Sequence, residues 1–195
     1  MFCHLEHDFK ASSNSGVIMD FSISKAALSE ILSVTQSFIA KKTTMPILNN
    51  FLISAADGKV KISATDLELT AVASSAAQVR SSGSTTINAK VFSDIVRELE
   101  DGDVTIKLGS GERVEISSKG SKLRMIGVSA EEFPSLPGIN YEPKGKISSK
   151  LLSEMIGKTI FAVSLDETRF NLNGVCFEVE PGEGKKAASQ LRLVA

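Results

Sequence analysis

The chain has 195 residues, 42% of them hydrophobic and 23% charged, with a net charge of −1 at pH 7. This is the composition of an ordinary globular protein of one or two domains, and no apolar run reaches the roughly 18 residues that a membrane span requires. The near-zero charge excludes a protein that holds nucleic acid by bulk positive charge, so any such contact must come from a local basic surface or from topology.

The first predicted element begins after residues 1–18. That segment lacks the apolar core of a secretion signal, and we expect a disordered tail or a start codon assigned too early. Cys3, His4 and His7 could be drawn as metal ligands, but no fourth ligand lies near them, so we predict a solvated tail and no metal site. The only other cysteine is Cys176. Two cysteines are too few for a disulfide framework and favour a reducing cytoplasm.

A ten-residue phrase then occurs three times, starting at Ile23, Ile87 and Ile147. A phrase that recurs at the nearly equal spacings of these three positions indicates one supersecondary unit used several times. Each isoleucine is followed by a residue suited to cap the N-terminus of a helix: Ser24, Asn88 and Ser148. Each copy is therefore predicted to be a short strand that leads into a helix.

Apolar stripes predict the faces that the first two helices bury. The stripes are Leu28, Ile31, Leu32, Thr35 and Phe38 in the first helix, and Val91, Phe92, Ile95, Val96 and Leu99 in the second. The predicted strands cover residues 47–55, 59–64, 67–79, 104–108, 114–118 and 123–128. The turn Asp57-Gly58 joins the first two strands in a hairpin.

The predicted order is a strand, a helix and three strands, and this unit occurs twice. The two halves make one α+β domain over residues 19–143. The end of that stretch, from residue 131, is a Pro/Gly-rich connector. Residues 147–178 align with residues 23–54 without a gap. Residues 144–195 are thus expected to be the first part of a second, similar domain. An unfinished domain would expose an apolar helix face and an unpaired sheet edge, so we expect self-association.

Catalytic chemistry has little support in the sequence. Asp66 and Glu68 would point to the same face of a strand and could form a carboxylate pair, but a solvent-facing turn is the favoured interpretation. Gly109-Ser-Gly111 joins two strands and lacks the helix that a phosphate-binding loop requires. A carboxylate-dependent enzyme is the least supported alternative. A small module that binds peptides at its sheet edges is the other.

Basic residues recur at equivalent positions of the repeat. Lys41 and Lys42 follow the first helix, and Lys90 and Arg97 are seven residues apart, so they share a face of the second helix. Lys150 repeats the position of Lys90. A solvated helix face is the ordinary interpretation of one such lysine. Recurrence points instead to a positive lining that follows a phosphate backbone, if the repeats lie around a ring.

The chain resembles the bacterial DNA polymerase III beta subunit family, the sliding clamps, from Met19 to Ala195. Several separate motifs in the same order carry this resemblance: Thr44-Met-Pro-Ile-Leu-Asn-Asn50, Ser63-Ala-Thr-Asp-Leu-Glu-Leu69, Ala89–Leu99, Glu132-Phe-Pro134 and Arg169-Phe-Asn-Leu-Asn-Gly-Val175. The resemblance implies the DNA-clamp fold, in a ring of two identical subunits of three clamp domains each. Helices line the inner face of that ring, and antiparallel sheets form the outside.

The resemblance also implies a function. Such a ring encircles double-stranded DNA without reading its sequence, slides, and acts as the processivity factor of the polymerase. It catalyses nothing, has no cofactor and does not enter a membrane. Its partners are a second clamp subunit, an ATP-using clamp loader, the polymerase III alpha subunit and other proteins with a clamp-binding motif. Because a third clamp domain is absent, we expect this chain alone not to close a ring.

DNA-contact residues follow from the resemblance. Lys42 and Lys90 match basic contacts of the family, and Arg97 lies on the same helix as Lys90. In the loop that follows the first helix of domain two, Phe170 and Asn171 replace two tyrosines that touch single-stranded DNA. Stacking could survive on Phe170, whereas Asn171 has no ring. Asp166, in the same loop, replaces a neutral residue and would repel phosphate.

Two partner surfaces are implied in the same way. Arg169 and Leu172 match one edge of the pocket that takes short linear peptides. Four residues match the edge strand that pairs with domain three of the other subunit: Lys122, Leu123, Arg124 and Met125. A basic edge strand is also ordinary protection against aggregation, and the two interpretations of its charged residues stay open.

Overall fold

The computed structural model describes residues 17–39, 43–135, 146–166, 168, 172–180 and 190–195. The chain divides into two compact units, Met1–Pro137 and Gly138–Ala195. Among the described residues, no helix has the length and apolar content needed to cross a membrane. The predicted domain boundary at residues 143–144 lies outside the described residues and stays a prediction.

The first unit contains nine strands and two α-helices in its described residues. In chain order they are β1 (Val17–Ser24), α1 (Lys25–Gln36), β2 (Asn50–Ala56), β3 (Lys59–Thr65), β4 (Thr70–Ala76), β5 (Gln78–Ser81), β6 (Gly83–Asn88), α2 (Ala89–Glu98), β7 (Asp103–Gly109), β8 (Arg113–Ser118) and β9 (Ser121–Ile126). Short 3₁₀ helices cover Pro46–Asn49 and Ala130–Glu132. The predicted α+β class and both predicted helices are confirmed.

Two antiparallel sheets organise this unit, one in the order β5-β1-β7-β8-β9 and the other in the order β4-β3-β2-β6. The first strand of each repeat joins the sheet that the other repeat builds. Ile23 of β1 lies opposite Val104 of β7, and Ile87 of β6 lies opposite Phe51 of β2. The unit is therefore one domain made of two like halves that exchange their first strands.

The core lies between the sheets and the helices, with α1 and α2 in contact with each other. Helix α1 buries the first four residues of its predicted stripe, whereas Phe38 lies beyond the end of the helix and is only partly buried. The largest buried side chains are Phe21, Phe51, Phe92, Met19 and Leu28. In α2 the buried positions include Phe92, Ser93 and Val96. The prediction for Val91 was wrong, because it lies on the solvent side of α2 and is 48% exposed.

The predicted long strand over residues 67–79 is divided in the structure. It begins only at Thr70, because the carboxylate of Asp66 holds a turn over the preceding residues. It is interrupted at Ala77, whose N–H donates to the carbonyl oxygen of Gly58 at 2.9 Å. Beyond that point the chain leaves β3 and pairs as β5 with β1, in the other sheet. One extended segment thus serves two sheets.

Two further predictions, the hairpin turn at Asp57-Gly58 and the start of the strand at residue 47, have different outcomes. Asp57 and Gly58 have φ of 50° and 70°, as a type I′ turn requires, and the predicted hairpin is confirmed. Residues 47–49, predicted as strand, belong instead to the first 3₁₀ helix, where Pro46 stands in the first turn. Proline suits that place because it has no N–H to leave unpaired.

The second unit contains α3 (Ser149–Gly157), a 3₁₀ turn at Ile160–Ala162, and the antiparallel strands β10 (Cys176–Glu180) and β11 (Gln190–Val194). Phe177 lies opposite Leu193 in this pair. None of the described residues of this unit is buried. The expected exposure of apolar side chains in residues 144–195 is thus observed, for instance at Leu151 and Phe161.

Candidate nucleic-acid and subunit interfaces

Helix α2 presents two basic side chains to solvent. The helix begins where the side-chain oxygen of Asn88 accepts the N–H of Val91 at 3.0 Å, and Phe92 faces the core. This orientation leaves Lys90 and Arg97 exposed. Arg97 is paired with Asp94 at 3.1 Å, whereas Lys90 forms no ion pair with any described residue. Because Asp94 and the exposed Glu98 lie on the same helix as Lys90 and Arg97, α2 carries no net charge, although Lys90 has no described carboxylate partner.

The solvent side of α1 carries little charge. Ala26, Ser33 and Val34 are exposed, and Glu30 is the charged residue among them. Lys25 is turned away, because its ammonium donates to the carbonyl oxygen of Leu99 and lies 3.5 Å from Asp101. The helix surface of the first unit thus has no net positive charge in its described part, as the net charge of the chain anticipates.

Four of the predicted site residues lie outside the described residues: Lys42, Arg169, Phe170 and Asn171. Lys150, by contrast, is described and is exposed near the start of α3. It follows its N-cap residue, Ser148, by two positions, just as Lys90 follows Asn88. The repeated position of the lysine on the helix is therefore confirmed. Whether these lysines bind DNA stays a prediction.

The loop with Asp166 is held by local hydrogen bonds. The Asp166 carboxylate accepts the hydroxyl of Thr168 at 2.6 Å and its N–H at 3.0 Å, and these bonds lower the pKa of the carboxyl. The N–H of Ser164 donates to the carbonyl oxygen of Leu172 at 3.0 Å. The Leu172 side chain is 55% exposed. At neutral pH the loop carries a negative charge, which opposes a phosphate contact.

Strand β9 forms one edge of the five-stranded sheet, and it carries the four predicted subunit-interface residues. Lys122 and Arg124 reach back to Glu115 of β8, at 2.7 and 3.3 Å. Their hydrogen bonds lower the pKa of the Glu115 carboxyl. Met125 packs against the core, and Leu123 is exposed. Within the described part of the chain, no strand pairs with the outer edge of β9, so its backbone groups lie unpaired between basic side chains.

A shallow groove separates β9 from α2. It is lined by Asp94, Ile95, Glu98, Leu99, Ser121, Lys122 and Leu123. The sequence prediction of the interface named residues of the strand and none of the helix residues that line this groove. No local pattern could have found them, because the chain between α2 and β9 passes through two other strands. The groove joins an apolar floor to acidic and basic rims.

The carboxylate pair Asp66 and Glu68 does not lie on a strand. The Asp66 carboxylate accepts the N–H groups of Glu68 and Leu69 at 3.0 and 2.7 Å, which makes it a turn-forming residue. The favoured interpretation, a solvent-facing turn, is confirmed. In the part of the chain that the structure describes, no cluster of His, Cys, Asp or Glu could hold a metal ion.

Residues 19–137 match the family model of the DNA polymerase III beta subunit, N-terminal domain. The beta sliding clamp of Chlamydia trachomatis is 31% identical over 176 residues, which are 90% of this chain and 41% of that protein. A crystal structure of the Caulobacter crescentus beta sliding clamp is similar with a TM-score of 0.80 and 32% identity, over 90% of this chain and 46% of that one. The crystal structure of the Bartonella birtlesii sliding clamp bound to griselimycin is similar with a TM-score of 0.80 and 30% identity, over 91% of this chain and 46% of that one. The chain thus spans less than half the length of these relatives.

Proposed function

Because the chain belongs to the DNA polymerase III beta subunit family, the bacterial sliding clamps, we propose that it is part of a DNA replication processivity factor. In this proposal residues 19–143 are the first clamp domain and residues 144–195 are the first part of the second. The complete assembly is a ring of two subunits that encircles duplex DNA in the cytoplasm. It tethers polymerase III and repair proteins and has no catalytic role.

The observation that carries this proposal is the arrangement of the two helices in the first unit. The exchange of β1 and β6 places α1 and α2 in contact, so that their solvent sides form one surface. Lys90 and Arg97 lie on that surface. We propose that the surface faces the duplex and that Lys42, Lys90 and Arg97 contact phosphates. Such contacts carry no base information, which suits a ring that slides.

A helix surface without net positive charge fits a topological grip better than an electrostatic one. Each phosphate that a lysine or arginine neutralises contributes about −0.9 to the slope of log K against log salt. Lys90 and Arg97 alone would give a slope of about −2, which means weak binding at physiological salt. A ring that surrounds DNA needs no tighter contact. The negative charge of Asp166 is tolerable for the same reason.

The second subunit is proposed to bind at β9. An antiparallel strand added there would satisfy the unpaired backbone groups of Lys122–Met125, and apolar side chains of that partner would enter the groove beside Ile95 and Leu123. Arg169 and Leu172 are proposed to form one edge of the peptide pocket. Through that pocket the clamp would hold the polymerase III alpha subunit and other proteins with a clamp-binding motif. A clamp loader is the remaining proposed partner.

The DNA-facing surface can be tested with this chain by fluorescence anisotropy on a short duplex, between about 50 and 200 mM salt. We expect weak binding that is the same for unrelated sequences. K90A/R97A should weaken binding and make the salt slope shallower by about 2. Lys61→Ala is the matched control, because Lys61 is exposed on β3 between the inward-facing Val60 and Ile62 and thus lies on the opposite side of the sheet.

Binding that K90A/R97A leaves unchanged, or that Lys61→Ala weakens equally, would overturn the assignment of this surface. Circular dichroism should show that the variants keep the wild-type fold, since both side chains of the double variant are exposed.

A further inference from the structure

The side of the five-stranded sheet that points away from the core, its outer face, carries an excess of cations around an open hollow. We propose that this outer face binds an acidic peptide segment of a partner protein, whose carboxylates enter the hollow and whose aliphatic side chain packs on Ile126. The proposal rests on the charges and contacts of β7, β8 and β9. It is independent of the DNA surface, so the failure of the proposed function leaves it standing.

Alternation along the strands separates the core side of this sheet from its outer face. Ile106 of β7, Ile116 of β8 and Met125 of β9 pack in the core, so alternate residues of these strands point outward. The charged side chains of the outer face are Asp20, Arg80, Asp103, Lys107, Arg113, Glu115, Lys122 and Arg124. Five of them are cations and three are carboxylates, which gives a net charge of +2. The positive surface of the first unit is therefore this face and not the helix surface.

The Asp20 carboxylate is shared by two of these cations. It pairs with Arg80 and lies 3.4 Å from the ammonium of Lys107. Asp103 begins β7, four residues before Lys107, which places it about 14 Å away along the strand. The cluster around Asp20 is therefore left with one positive charge that no carboxylate balances.

The Glu115 carboxylate is shared in the same way. Lys122 lies 2.7 Å from it, and Nε of Arg124 lies 3.3 Å from it. The terminal nitrogens of Arg124 have no partner among the described residues, so they are available to a ligand. Glu112, in the adjoining turn, does not compete for them, because its carboxylate accepts the hydroxyl of Thr85 at 2.7 Å.

The hollow lies at the end of this face where Gly109 stands opposite Arg113. It has a volume of about 600 Å³, and its charged lining consists of Lys107, Arg113, Arg124 and the already shared Glu115. Gly109 has no side chain to fill the space between them. Arg113 forms no ion pair with any described residue. The hollow thus presents two guanidinium groups with free donors, the geometry that binds carboxylates bidentately.

An apolar contact lies beside the hollow. Ile126 of β9 is directly opposite Arg113, and its side chain is 78% exposed. No other large apolar residue in the described part of the first unit is as exposed. Protein interfaces combine such an apolar contact with a polar rim. A strand added at the edge of β9 would lie in the plane of the sheet, so the proposed second subunit leaves this face open.

An acidic peptide fits this surface better than a nucleic acid does. From strand spacing and rise, the Cα atoms of Lys107, Arg113 and Arg124 lie roughly 8–10 Å apart. Carboxylates on alternate residues of an extended peptide are about 7 Å apart, which these long side chains can reach. Single-stranded nucleic acids are bound largely by stacking on aromatic rings. The only aromatic residue of the five strands, Phe21, is buried on the core side.

Fluorescence anisotropy with the full chain tests the proposal. The probe is a labelled peptide of about ten residues, glutamates with one central leucine. We expect saturable binding that R113Q/R124Q weakens at least about tenfold. K59Q/K61Q is the matched control, because it removes the same charge from exposed lysines of β3 in the other sheet. It should bind the peptide as the wild type does, and so should K90A/R97A.

Ile126→Ser tests the apolar contact without a change in charge. It should weaken binding of the leucine peptide, and it should leave unchanged the binding of a peptide with serine in place of leucine. A wild-type chain that does not bind the peptide, or equal losses in R113Q/R124Q and K59Q/K61Q, would overturn the proposal. Tighter binding of an oligothymidylate of equal charge, lost in R113Q/R124Q, would also overturn it and assign the face to nucleic acid. Circular dichroism checks that each variant keeps the wild-type fold.

Discussion

Ser24 and Asn88 make the same hydrogen bond at the start of the two helices in the first unit. The Ser24 hydroxyl accepts the N–H of Ala27 at 3.3 Å, and the Asn88 side-chain oxygen accepts the N–H of Val91 at 3.0 Å. Both residues also end a strand that crosses into the sheet of the other half. One residue in each repeat therefore fixes both the end of a strand and the start of a helix.

Loss of either cap should destabilise the first unit by a similar amount. We expect Ser24→Ala and Asn88→Ala each to lower the free energy of unfolding by about 1 kcal/mol, measured by urea denaturation. Ser33→Ala is the control, because the Ser33 hydroxyl only donates to the carbonyl of Glu30 within α1. It should change stability by less than about 0.5 kcal/mol. Caps that can be removed without loss would contradict this account.

Acid should weaken the first unit through Asp20. Burial would raise the pKa of the Asp20 carboxyl, but the hydrogen bond and charge of Arg80, together with Lys107 at 3.4 Å, outweigh burial and lower that pKa. The stabilisation is therefore present above the unfolded-state pKa of about 4 and is lost as the pH falls through the lower folded-state value. Asp20→Asn should cost about 1–3 kcal/mol at pH 7 and flatten the acid limb of the stability profile.

The control for Asp20 is Asp101→Asn. Asp101 also pairs with a lysine, Lys25, but its side chain is 98% exposed. Exposed ion pairs contribute about 0–1 kcal/mol, so this variant should keep the acid limb of the wild type. Equal losses from the two variants, measured by denaturation between pH 2 and pH 7, would show that burial of Asp20 is unimportant.

The pKa of the Glu115 carboxyl should show whether the basic side chains of β9 are hydrogen-bonded to the neighbouring strand β8. The hydrogen bond from Lys122 and then that from Arg124 lower the pKa of the Glu115 carboxyl. Lys122→Ala should move that pKa back up toward its ordinary value, measured by NMR titration of the side-chain carboxyl. Lys119→Ala, in the neighbouring turn, should leave it unchanged. A Glu115 pKa that is insensitive to Lys122 would mean that the lysine is free to bind a partner.

Gly83 should tolerate no side chain, although its backbone is ordinary. A Cβ at Gly83 would lie 2.8 Å from the carbonyl oxygen of Ile18 and 2.9 Å from the Cβ of Met19. Gly83→Ala should therefore lower the free energy of unfolding by about 1–3 kcal/mol, measured by thermal or urea denaturation.

At Gly157, at the end of α3, a Cβ would meet no atom within 4 Å. Gly157→Ala should stabilise α3 by about 0.5–1 kcal/mol, observed as slower amide exchange of that helix.

The sequence by itself determined the local parts of this protein. The repeat, the caps at Ser24, Asn88 and Ser148 and the hairpin at Asp57-Gly58 are encoded within a few neighbouring residues, and the structure has all of them. Local hydrogen bonds and backbone preferences decide such features, so their signals can be found in a short stretch of chain. The family resemblance came from the same kind of signal, read over several motifs in order.

Only the tertiary structure decided how those parts are combined. The exchange of β1 and β6 between the halves, the division of the long strand at Ala77 and the groove between α2 and β9 each join residues far apart in the chain. Such contacts are stabilised by the burial of apolar side chains and by strand pairing, which must outweigh the entropy lost when the chain between the two partners is closed into a loop. Because no short segment contains both partners of such a contact, the sequence pattern could name the elements and not their neighbours.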